Sequence, residues 1–420
     1  MQLSDEQSKV VQEAEQGSNI LLLGKAGVGK SATVERLTDN NTLVTSTTGI
    51  SALNVGGETT HSAFGLPTGV VTDDDLKKSS RRFSELFYDN TVKRIVVDEW
   101  SMNRIDSFEL IDYRLRKVKQ VDKPFGGIQM ILVADLYQLP PIVSYNEKKH
   151  FNKKYLSPWA FTSKVFKKGG FSTTELTKVF RQSNVDQIEA LNKIRSKEQG
   201  WEGAVDLMNI WGKEPKREVD LVLCAYNDDA DIINNREYEA INARERIYKG
   251  EVSGNFKQKD TIVPFELRLK EGCRVMISAN SNSECEDDYK NGLVGTVVEM
   301  FDDHVYVDTD RYGEVKVEMA EFEKFKYSGL GGSLTKITSG KFSQIPLRHG
   351  FSVSCHKSQG LTLDSVAINF GERGCFSPAQ AYVALSRVRD LNDMYLMTPI
   401  KYSDIMVDSK VKRFMGKLKK

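Results

Sequence analysis

An eight-residue glycine-rich segment, residues 24–31, constrains the fold of this chain more than any other part of the sequence. It reads GKAGVGKS and matches the G-x-x-x-x-G-K-S spacing of a phosphate-binding loop. The apolar run 19–23 before it is short enough for a buried strand, and residues 32–37 after it read as the start of a helix. A strand, a glycine loop and a helix in this order predict a P-loop α/β fold that binds a nucleoside triphosphate.

The polar side chains of this loop have predictable roles. Its glycines allow backbone N–H groups to turn inward around phosphate oxygens, at the positive end of the following helix. Lys30 is expected to reach the β- and γ-phosphates, and the hydroxyl of Ser31 is expected to bind Mg²⁺. The alternative is a glycine-rich turn that carries Lys-Ser by chance, and both flanking segments argue against it.

A second motif, which is acidic, ends a strongly apolar strand further along the chain. Residues 93–99 read KRIVVDE, so a buried strand ends in two adjacent carboxylates, Asp98 and Glu99. At this distance after a P-loop, Asp98 is predicted to hold Mg²⁺ through water, and Glu99 to orient or deprotonate the attacking water. Paired acids after a strand also occur by chance, so the motif depends on the P-loop for its interpretation.

Two segments after other strands have the composition of a nucleic-acid surface. The strand predicted at 42–46 ends in TTGISA, where small hydroxyl residues and glycine suit close approach to a phosphate backbone. The loop 59–67 then carries Phe64 and Pro67, which are residue types of a base-stacking platform. The alternative is a loop whose Phe64 ring plugs the core.

Gln7 lies in the predicted first helix, which Ser4 or Asp5 would cap. A glutamine amide can pair with the N6/N7 edge of adenine, so Gln7 is a candidate adenine-reading residue. Taken alone, its helical position favours a solvated surface role instead.

Composition narrows the class of protein. The chain has 420 residues, a length that suggests about two to four domains. Its net charge is only +1. A nucleic-acid partner would therefore have to bind a local channel, not a globally basic surface. The five cysteines form no C-x-x-C pair, which argues for free thiols in a reducing compartment. No apolar stretch is long enough to span a bilayer.

The second half of the chain changes its pattern twice. Residues 219–225 predict a buried strand that opens a second α/β unit. Between 265 and 319 the strands become short and are separated by turn dipeptides, which predicts a small antiparallel barrel or meander. The α/β pattern resumes at 351–360, so the barrel is expected to be an insertion, and residues 379–389 are predicted to form a helix.

Taken in order, these motifs closely resemble the Pif-type DNA helicases of superfamily 1B, whose relatives include RecD and the Dda-type phage helicases. The resemblance runs from about residue 3 to about residue 400. The motifs are Gln7, GKAGVGKS, TTGISA, THSAFGLP, VVDEWSM, ADLYQLPP, LTKVFRQ, LCAYN, NGLVGTV, HKSQGLTLD and AYVALSRVR. Ala134 and Trp100 depart from the family pattern, in which glycine and a small residue are usual, and residues 68–90 match it poorly.

The resemblance implies two RecA-like P-loop domains with parallel sheets and ATP between them, a small inserted SH3-like β-barrel and a short wedge insertion. Domain 1A would span residues 1–180, with the small insertion 1B at about 64–91. Domain 2A would span 181–249 and 347–420, and the SH3-like domain 2B would span 250–346.

The family motifs also imply roles for individual residues. Gln138 would sense the γ-phosphate, and Arg181 and Arg387 would act as arginine fingers that neutralise transition-state charge. The implied catalytic residues are Lys30, Glu99, Gln138, Arg181 and Arg387. The implied ATP-binding residues are Gln7, Gly24, Ala26, Gly27, Val28, Gly29, Lys30, Ser31, Gln138, Arg181, Gly360 and Arg387, and the Mg²⁺ ligands are Ser31 and Asp98. The implied DNA contacts are Thr48, Gly49, His61, Phe64, Pro67, Asn227, His356, Lys357 and Ser358. In this context the stacking role of Phe64 is favoured over the core role.

The implied function is an ATP-dependent DNA helicase that translocates 5′ to 3′ on single-stranded DNA and unwinds tailed or forked duplexes, with ATP and Mg²⁺ as cofactors. An ATP-driven translocase that displaces bound proteins without unwinding is the alternative. A P-loop kinase or GTPase is disfavoured because no N-K-x-D guanine motif appears. Replication or repair proteins are candidate partners, and the protein is expected to be a monomer in the cytoplasm of a bacterium or a phage-infected host.

Overall fold

The chain divides into two compact units. The first contains Met1–Leu136, Pro140–Phe180 and Glu323–Ser339, and the second contains Tyr137–Leu139, Arg181–Phe322 and Gly340–Lys420. The computed structural model describes residues 3–418 apart from 26, 48–50, 53–54, 68, 78–80, 89–90, 179–184, 215–218, 220, 282–288, 290, 310–312, 329–334, 360 and 362.

The first unit is built on a parallel sheet. In chain order its elements are α1 (Asp5–Glu15), β1 (Ile20–Gly24), α2 (Lys30–Leu37), β2 (Thr42–Ser46), β3 (Glu58–Thr59), α3 (Thr60–Phe64), α4 (Asp73–Lys77), α5 (Arg81–Phe87), β4 (Arg94–Asp98), α6 (Ile105–Lys119), β5 (Gln129–Ala134), α7 (Tyr145–Lys154), α8 (Lys164–Lys168) and β6 (Ser172–Leu176). Over the described residues its strands form a six-stranded sheet in the order β3-β2-β4-β5-β1-β6. Each neighbouring pair runs parallel, which confirms the predicted α/β fold.

The apolar strands explain why this sheet is central to its unit. Every residue of β1 and of β5 is buried, as expected for parallel strands that helices cover on both faces. Val10 of α1 and Val34 of α2 pack with Leu22 of β1 in one apolar cluster. This packing fixes the start of α2 directly beyond the carboxyl end of β1, where the glycine loop connects them.

The second unit combines a parallel and an antiparallel part. From residue 181 onward the elements are α9 (Val185–Ser196), α10 (Trp201–Trp211), β7 (Val222–Cys224), α11 (Asn227–Ala240), β8 (Glu245–Lys249), β9 (Glu251–Gly254), β10 (Glu266–Lys270), β11 (Arg274–Ile277), β12 (Val294–Met300), β13 (His304–Thr309), β14 (Gly313–Glu318), β15 (Ala320–Ser328), β16 (Thr335–Gln344), β17 (Leu347–His349), β18 (Ser352–Ser354), β19 (Val366–Asn369), α12 (Gln380–Leu385), β20 (Met394–Leu396) and α13 (Ser409–Leu418). The strands β18-β7-β19-β20 form its parallel sheet.

The antiparallel strands lie between the two halves of this α/β pattern in the chain. Neighbours in the order β14-β13-β12-β11-β17 pair antiparallel, and β10 pairs antiparallel with β8. The meander predicted between 265 and 319 is therefore present. Its closure into an SH3-like barrel, and the domain boundaries at 249 and 347, stay predictions. In the part of the chain that the structure describes, no helix has both the length and the apolar surface that a membrane span requires.

Candidate functional site

The glycine loop connects β1 to α2 in the first unit. Gly29 has a φ of +84°, in the left-handed region that glycine adopts without strain, and it directly precedes α2. A Cβ on Gly24 would lie 2.6 Å from Cγ2 of the buried Val28, so only glycine lets the loop turn so tightly. The loop thus precedes a helix N-terminus, where backbone N–H groups bind phosphate. The predicted ligand Ala26 lies outside the described residues.

Lys30 is the first residue of α2 and folds back over the loop. Its Nζ donates to the backbone oxygens of Gly24 at 2.8 Å and of Lys25 at 3.1 Å. An ammonium group has three N–H donors, so these two carbonyls hold the group in place without using all of its hydrogen-bonding capacity. Ser31, the next residue, is exposed. The two predicted phosphate and Mg²⁺ ligands therefore lie side by side at the start of the helix.

Gln7 links α1 to the glycine loop. Its amide oxygen accepts the backbone N–H of Ser4 at 2.9 Å, and its Nε2 donates to the backbone oxygen of Gly29 at 3.1 Å. The residue is only 5% exposed, so the alternative of a solvated helix position is wrong. A carboxamide has two N–H donors and two acceptor lone pairs, and these contacts leave one of each for an adenine edge.

The acidic pair stands at the carboxyl end of β4. Asp98 ends the strand, and Glu99 follows it with a φ of +50°, a left-handed conformation that is uncommon for a residue with a side chain. The hydroxyl of Ser46 donates to the backbone oxygen of Asp98 at 3.3 Å, and that of Thr47 to the backbone oxygen of Glu99 at 3.1 Å. These bonds from the adjacent strand support the strained turn, as the surroundings of a functional residue often do.

The electrostatics of this edge suit a divalent cation. Burial raises the pKa of the Asp98 carboxyl above its usual value, although the Glu99 backbone N–H and the Lys30 charge lower it. Ser31 and Asp98 offer oxygen ligands, which Mg²⁺ prefers, and substrate phosphates and water usually complete its coordination. Among the described residues, no cluster of three or more His, Cys, Asp or Glu could hold a metal by itself. The residues present therefore fit a Mg²⁺ ion that arrives with a nucleotide.

Gln138 belongs to the second unit, which includes Tyr137–Leu139. It is buried, and its Oε1 accepts Nε2 of Gln359 at 3.0 Å. Gln359 is part of the HKSQG segment, and the sequence motifs did not predict this pairing. The two amides therefore form a polar pair inside the second unit.

Arg387 is held inside the second unit and is only 1% exposed. Its Nε donates to the backbone oxygen of Val383 at 2.8 Å, and its Nη2 to the hydroxyl of Ser386 at 2.8 Å. A role as an arginine finger therefore requires these bonds to break, because the guanidinium is not presented at the surface in this conformation. Two further residues that the motifs implied for ATP, Arg181 and Gly360, lie outside the described residues.

The prediction that Phe64 is a base-stacking platform is wrong in this structure. Phe64 is fully buried, and its ring lies 5.6 Å from that of Phe87 and 6.4 Å from that of Phe83. Both partners come from α5, within the segment 68–90 that matches the family pattern poorly. Because α5 buries its own aromatic residues, it covers Phe64, and the core alternative is the one that the structure supports.

Two arginines of the first unit fix the loop that follows Phe64. Nη1 of Arg114 donates to the backbone oxygen of Phe64 at 2.5 Å, and Nη2 of Arg104 donates to that of Gly69 at 2.7 Å. Charge-assisted hydrogen bonds of this kind are about twice as strong as neutral ones. The loop around Pro67 is therefore held at both ends by residues that sequence reasoning missed.

Four predicted DNA contacts of the first unit remain besides Phe64. His61 is exposed and Pro67 is half-buried, so both can meet a ligand. Thr48 and Gly49 lie outside the described residues. The surface that the structure describes here therefore consists of α3 and the loop after it.

We expect Phe64→Ala to lower the free energy of unfolding by about 3–5 kcal/mol, the usual cost of removing a buried Phe ring. The ring is fully buried between partners on α5, so its loss leaves a cavity. Thermal and denaturant unfolding measure the effect. His61→Ala, an exposed position on the same helix, is the matched control and should melt like the wild type. An unchanged unfolding midpoint for Phe64→Ala would contradict the core role.

Of the four predicted DNA contacts of the second unit, two are exposed, His356 is half-buried and one is buried. Asn227 begins α11 and accepts the hydroxyl of Ser354 at 2.6 Å, and Lys357 is exposed. Ser358 is fully buried and its hydroxyl donates to the backbone oxygen of Cys355 at 2.8 Å. Its predicted DNA contact is therefore wrong here, because the hydroxyl stabilises the turn after β18. Burial lowers the pKa of the half-buried His356, which keeps its ring neutral at neutral pH.

The lining of an 860 Å³ cavity in the second unit includes two arginines that the sequence motifs did not single out. These are Arg268 and Arg348, and Lys357 also lines the cavity. The Nε of Arg348 is buried without a hydrogen-bond partner among the described residues, and burial lowers the pKa of this residue to about 10. An arginine held in this way is suited to an anionic ligand. In the sequence, the adjacent pair Arg348-His349 was the signal that could have indicated this basic residue.

The comparisons with known proteins agree on one family. A model of the PIF1-like helicase family matches residues 2–199. The ATP-dependent DNA helicase PIF1 of Xenopus laevis is 30% identical over 408 residues, which make up 94% of this chain and 61% of the relative. This chain thus spans about three fifths of the length of the vertebrate relatives that it matches first.

Solved structures match over nearly their whole length. The crystal structure of Bacteroides sp Pif1 in complex with ADP-AlF4 is 31% identical, with a TM-score of 0.89, and the match covers 100% of this chain and 97% of that one. Bacteroides Pif1 bound to ssDNA is 31% identical, with a TM-score of 0.70 and the same coverage. Because the chain is 31% identical to Bacteroides sp Pif1 over 97% of that chain, the chain belongs to the PIF1-like helicase family.

Proposed function

We propose that the protein is an ATP-dependent DNA helicase that moves 5′ to 3′ along single-stranded DNA and separates duplexes. One observation carries the proposal: Lys30 and Ser31 follow β1, Asp98 ends β4 and Glu99 follows it, at the same edge of one parallel sheet. This is the arrangement of ligands that nucleoside triphosphate hydrolysis needs. Relatives solved with ADP-AlF4 and with ssDNA support the choice of ligands.

Each residue of the nucleotide site has a proposed task. Lys30 exchanges the carbonyls that it now contacts for β- and γ-phosphate oxygens, and Gln7 offers its remaining donor and acceptor to adenine. Ser31 and Asp98 hold Mg²⁺, which supplies charge stabilisation to the phosphates. Glu99 orients the attacking water and accepts its proton. The strained backbone at Glu99, supported by Thr47, sets the direction of this carboxylate.

The remaining catalytic residues are proposed from the family motifs. Gln138 contacts the γ-phosphate, which requires it to exchange the hydrogen bond from Gln359. Arg387 neutralises charge in the transition state after it leaves its contacts with Val383 and Ser386. Arg181 is proposed to do the same. Such rearrangements suit an enzyme that hydrolyses ATP efficiently only after its nucleic-acid ligand has bound.

Single-stranded DNA, in tailed or forked duplexes, is the proposed partner. In the first unit the exposed His61 and the half-buried Pro67 are the proposed contacts, and in the second unit Asn227, His356 and Lys357. The cavity that contains Arg348 adjoins Lys357. The lining also contains Asp231 and Glu266, so a DNA contact there would be local, as expected for a chain whose net charge is only +1.

We expect single-stranded DNA to stimulate ATP hydrolysis strongly. If the competent conformation is populated at only about 0.1–10% without DNA, saturating DNA would raise the rate by about tenfold to a thousandfold. Steady-state phosphate release with and without oligonucleotide measures the effect, and a blunt duplex of the same sequence is the control. A rate indifferent to single strands would contradict the proposal and support a kinase-like enzyme.

A translocase that displaces proteins without unwinding is the remaining alternative. It shares every residue of the nucleotide site, so stimulation of hydrolysis does not separate the two. Strand separation does, because only a helicase releases the complementary strand of a tailed duplex.

A further inference from the structure

A cluster of four side chains in contact with one another in sequence, Arg373, Tyr226, Phe376 and His356, lies on the second unit. Cζ of Arg373 lies 3.8 Å from the centroid of the Tyr226 ring. The rings of Tyr226 and Phe376 are 4.7 Å apart, and those of Phe376 and His356 are 5.8 Å apart and nearly parallel, at 17°. In spite of these contacts Phe376 remains 52% exposed. The cluster therefore presents the Phe376 ring to solvent.

The loop that carries Phe376 is fixed by buried polar groups. The backbone N–H of Phe376 donates to Oε1 of Gln380 at 3.1 Å, and that of Cys375 donates to Oδ1 of Asp404 at 2.9 Å. Both acceptor residues are buried. Ala379, at the end of the loop, has a φ of +66°, a strained conformation that only a well-determined loop maintains. A ligand that stacks on Phe376 therefore has little ordering entropy to overcome.

The surroundings of the cluster favour a nucleic acid over an apolar partner. Asn227, which follows Tyr226, and Lys357, which follows His356, are both exposed and polar. The acid Asp229 is paired with Arg373 at 2.7 Å. Lys357 thus offers a positive charge beside an aromatic surface, the combination that binds single-stranded nucleic acid through phosphate and base together.

We propose that Phe376 is a stacking platform for one base of single-stranded DNA. The inference rests on the proposed function and assigns to the second unit the aromatic contact that Phe64 cannot make. Stacking on an aromatic ring tolerates every base, so the platform adds affinity without sequence preference. His356 and Tyr226 position the Phe376 ring, and Lys357 binds the adjacent phosphate.

The test measures the affinity of the full chain for a fluorescein-labelled oligothymidylate of about 16 nucleotides, the upper site size of a typical single-strand binding fold. At fixed salt, Phe376→Ala should weaken binding about tenfold, and Phe376→Leu should weaken it comparably because Leu keeps apolar bulk without a π face. Phe376→Trp should bind like the wild type. Ile210→Ala, at a 67% exposed apolar position on α10, is the matched control and should change nothing.

Abasic sites placed one at a time along the oligonucleotide identify the stacked base. The wild type should lose affinity at one position, and Phe376→Ala should lose nothing further there. Melting temperatures of all variants should match that of the wild type, because the ring is half-exposed. The platform proposal, but not the proposed function, would be overturned if Phe376→Leu bound DNA with wild-type affinity. It would also be overturned if Phe376→Ala bound every oligonucleotide, intact or abasic, more weakly than the wild type by the same factor. Failure of the wild type to bind the intact oligonucleotide would overturn the proposed function as well.

Discussion

Lys30→Ala should reduce ATP hydrolysis by about a hundredfold or more, the usual effect of removing a group that stabilises transition-state charge. The Nζ of Lys30 donates to the loop carbonyls of Gly24 and Lys25 and lies outside the apolar core, so its removal leaves the core of the sheet intact. Nucleotide affinity should fall as well, because Lys30 is proposed to bind the β- and γ-phosphates. Phosphate release and nucleotide titration measure the two effects.

Lys25→Ala is the matched control for this variant. It removes a lysine from the same loop and changes the net charge equally, but Lys25 has no proposed phosphate contact. It should retain most of the hydrolysis rate. Near-normal turnover in a folded Lys30→Ala protein, with the wild-type melting temperature, would contradict the assignment of the phosphate-binding loop.

Glu99→Gln should separate hydrolysis from binding. The amide keeps the shape of the side chain but cannot accept the proton of the attacking water, and loss of a general base costs about 10²–10⁴-fold in rate. Asp98 and Ser31 remain to hold Mg²⁺, so nucleotide affinity should be retained. Single-turnover hydrolysis and equilibrium nucleotide binding, measured on one preparation, report the two quantities.

Glu35→Gln, at an exposed position on α2, controls for the loss of one negative charge in the same unit. Its rate and affinity should equal those of the wild type. A parallel loss of binding and turnover in Glu99→Gln would mean that the carboxylate supports the strained turn, where Glu99 has a φ of +50°, and not the water.

Local patterns predicted β1, β2 and β4 of the first unit well because each carries an apolar run, whereas the outer strands β3 and β6 carry none. β2 has the predicted bounds, and β1 and β4 each differ from the predicted segments by one residue at either end. The helix predicted at 379–389 is shorter, since α12 ends at Leu385 and Arg387 turns inward to bind Val383 and Ser358. Such hydrogen bonds depend on the packed unit, and no local pattern reports them.

The candidate site was predictable where a motif fixes both the residue type and the backbone conformation. It was less predictable where a residue's role depends on whether its side chain is buried or exposed. The glycine loop and the acidic pair lie where the strand–loop–helix pattern places them. Phe64 and Ser358 are buried by partners distant in sequence or by the turn itself, which a list of residue types does not reveal. Phe376 was missed for the same reason, because its ring contacts with Tyr226 and His356 join three separate segments.

Unwinding of two matched duplexes tests whether the protein is a helicase that moves 5′ to 3′. The duplexes share one sequence and carry either a 5′ or a 3′ single-stranded tail, and separation is followed with ATP and Mg²⁺ for the wild type and for Glu99→Gln. We expect the wild type to separate only the 5′-tailed duplex and Glu99→Gln to separate neither. Separation of the 3′-tailed duplex alone would contradict the proposed direction. A wild type that hydrolyses ATP on single strands but separates neither duplex would contradict the helicase function and leave the protein a translocase.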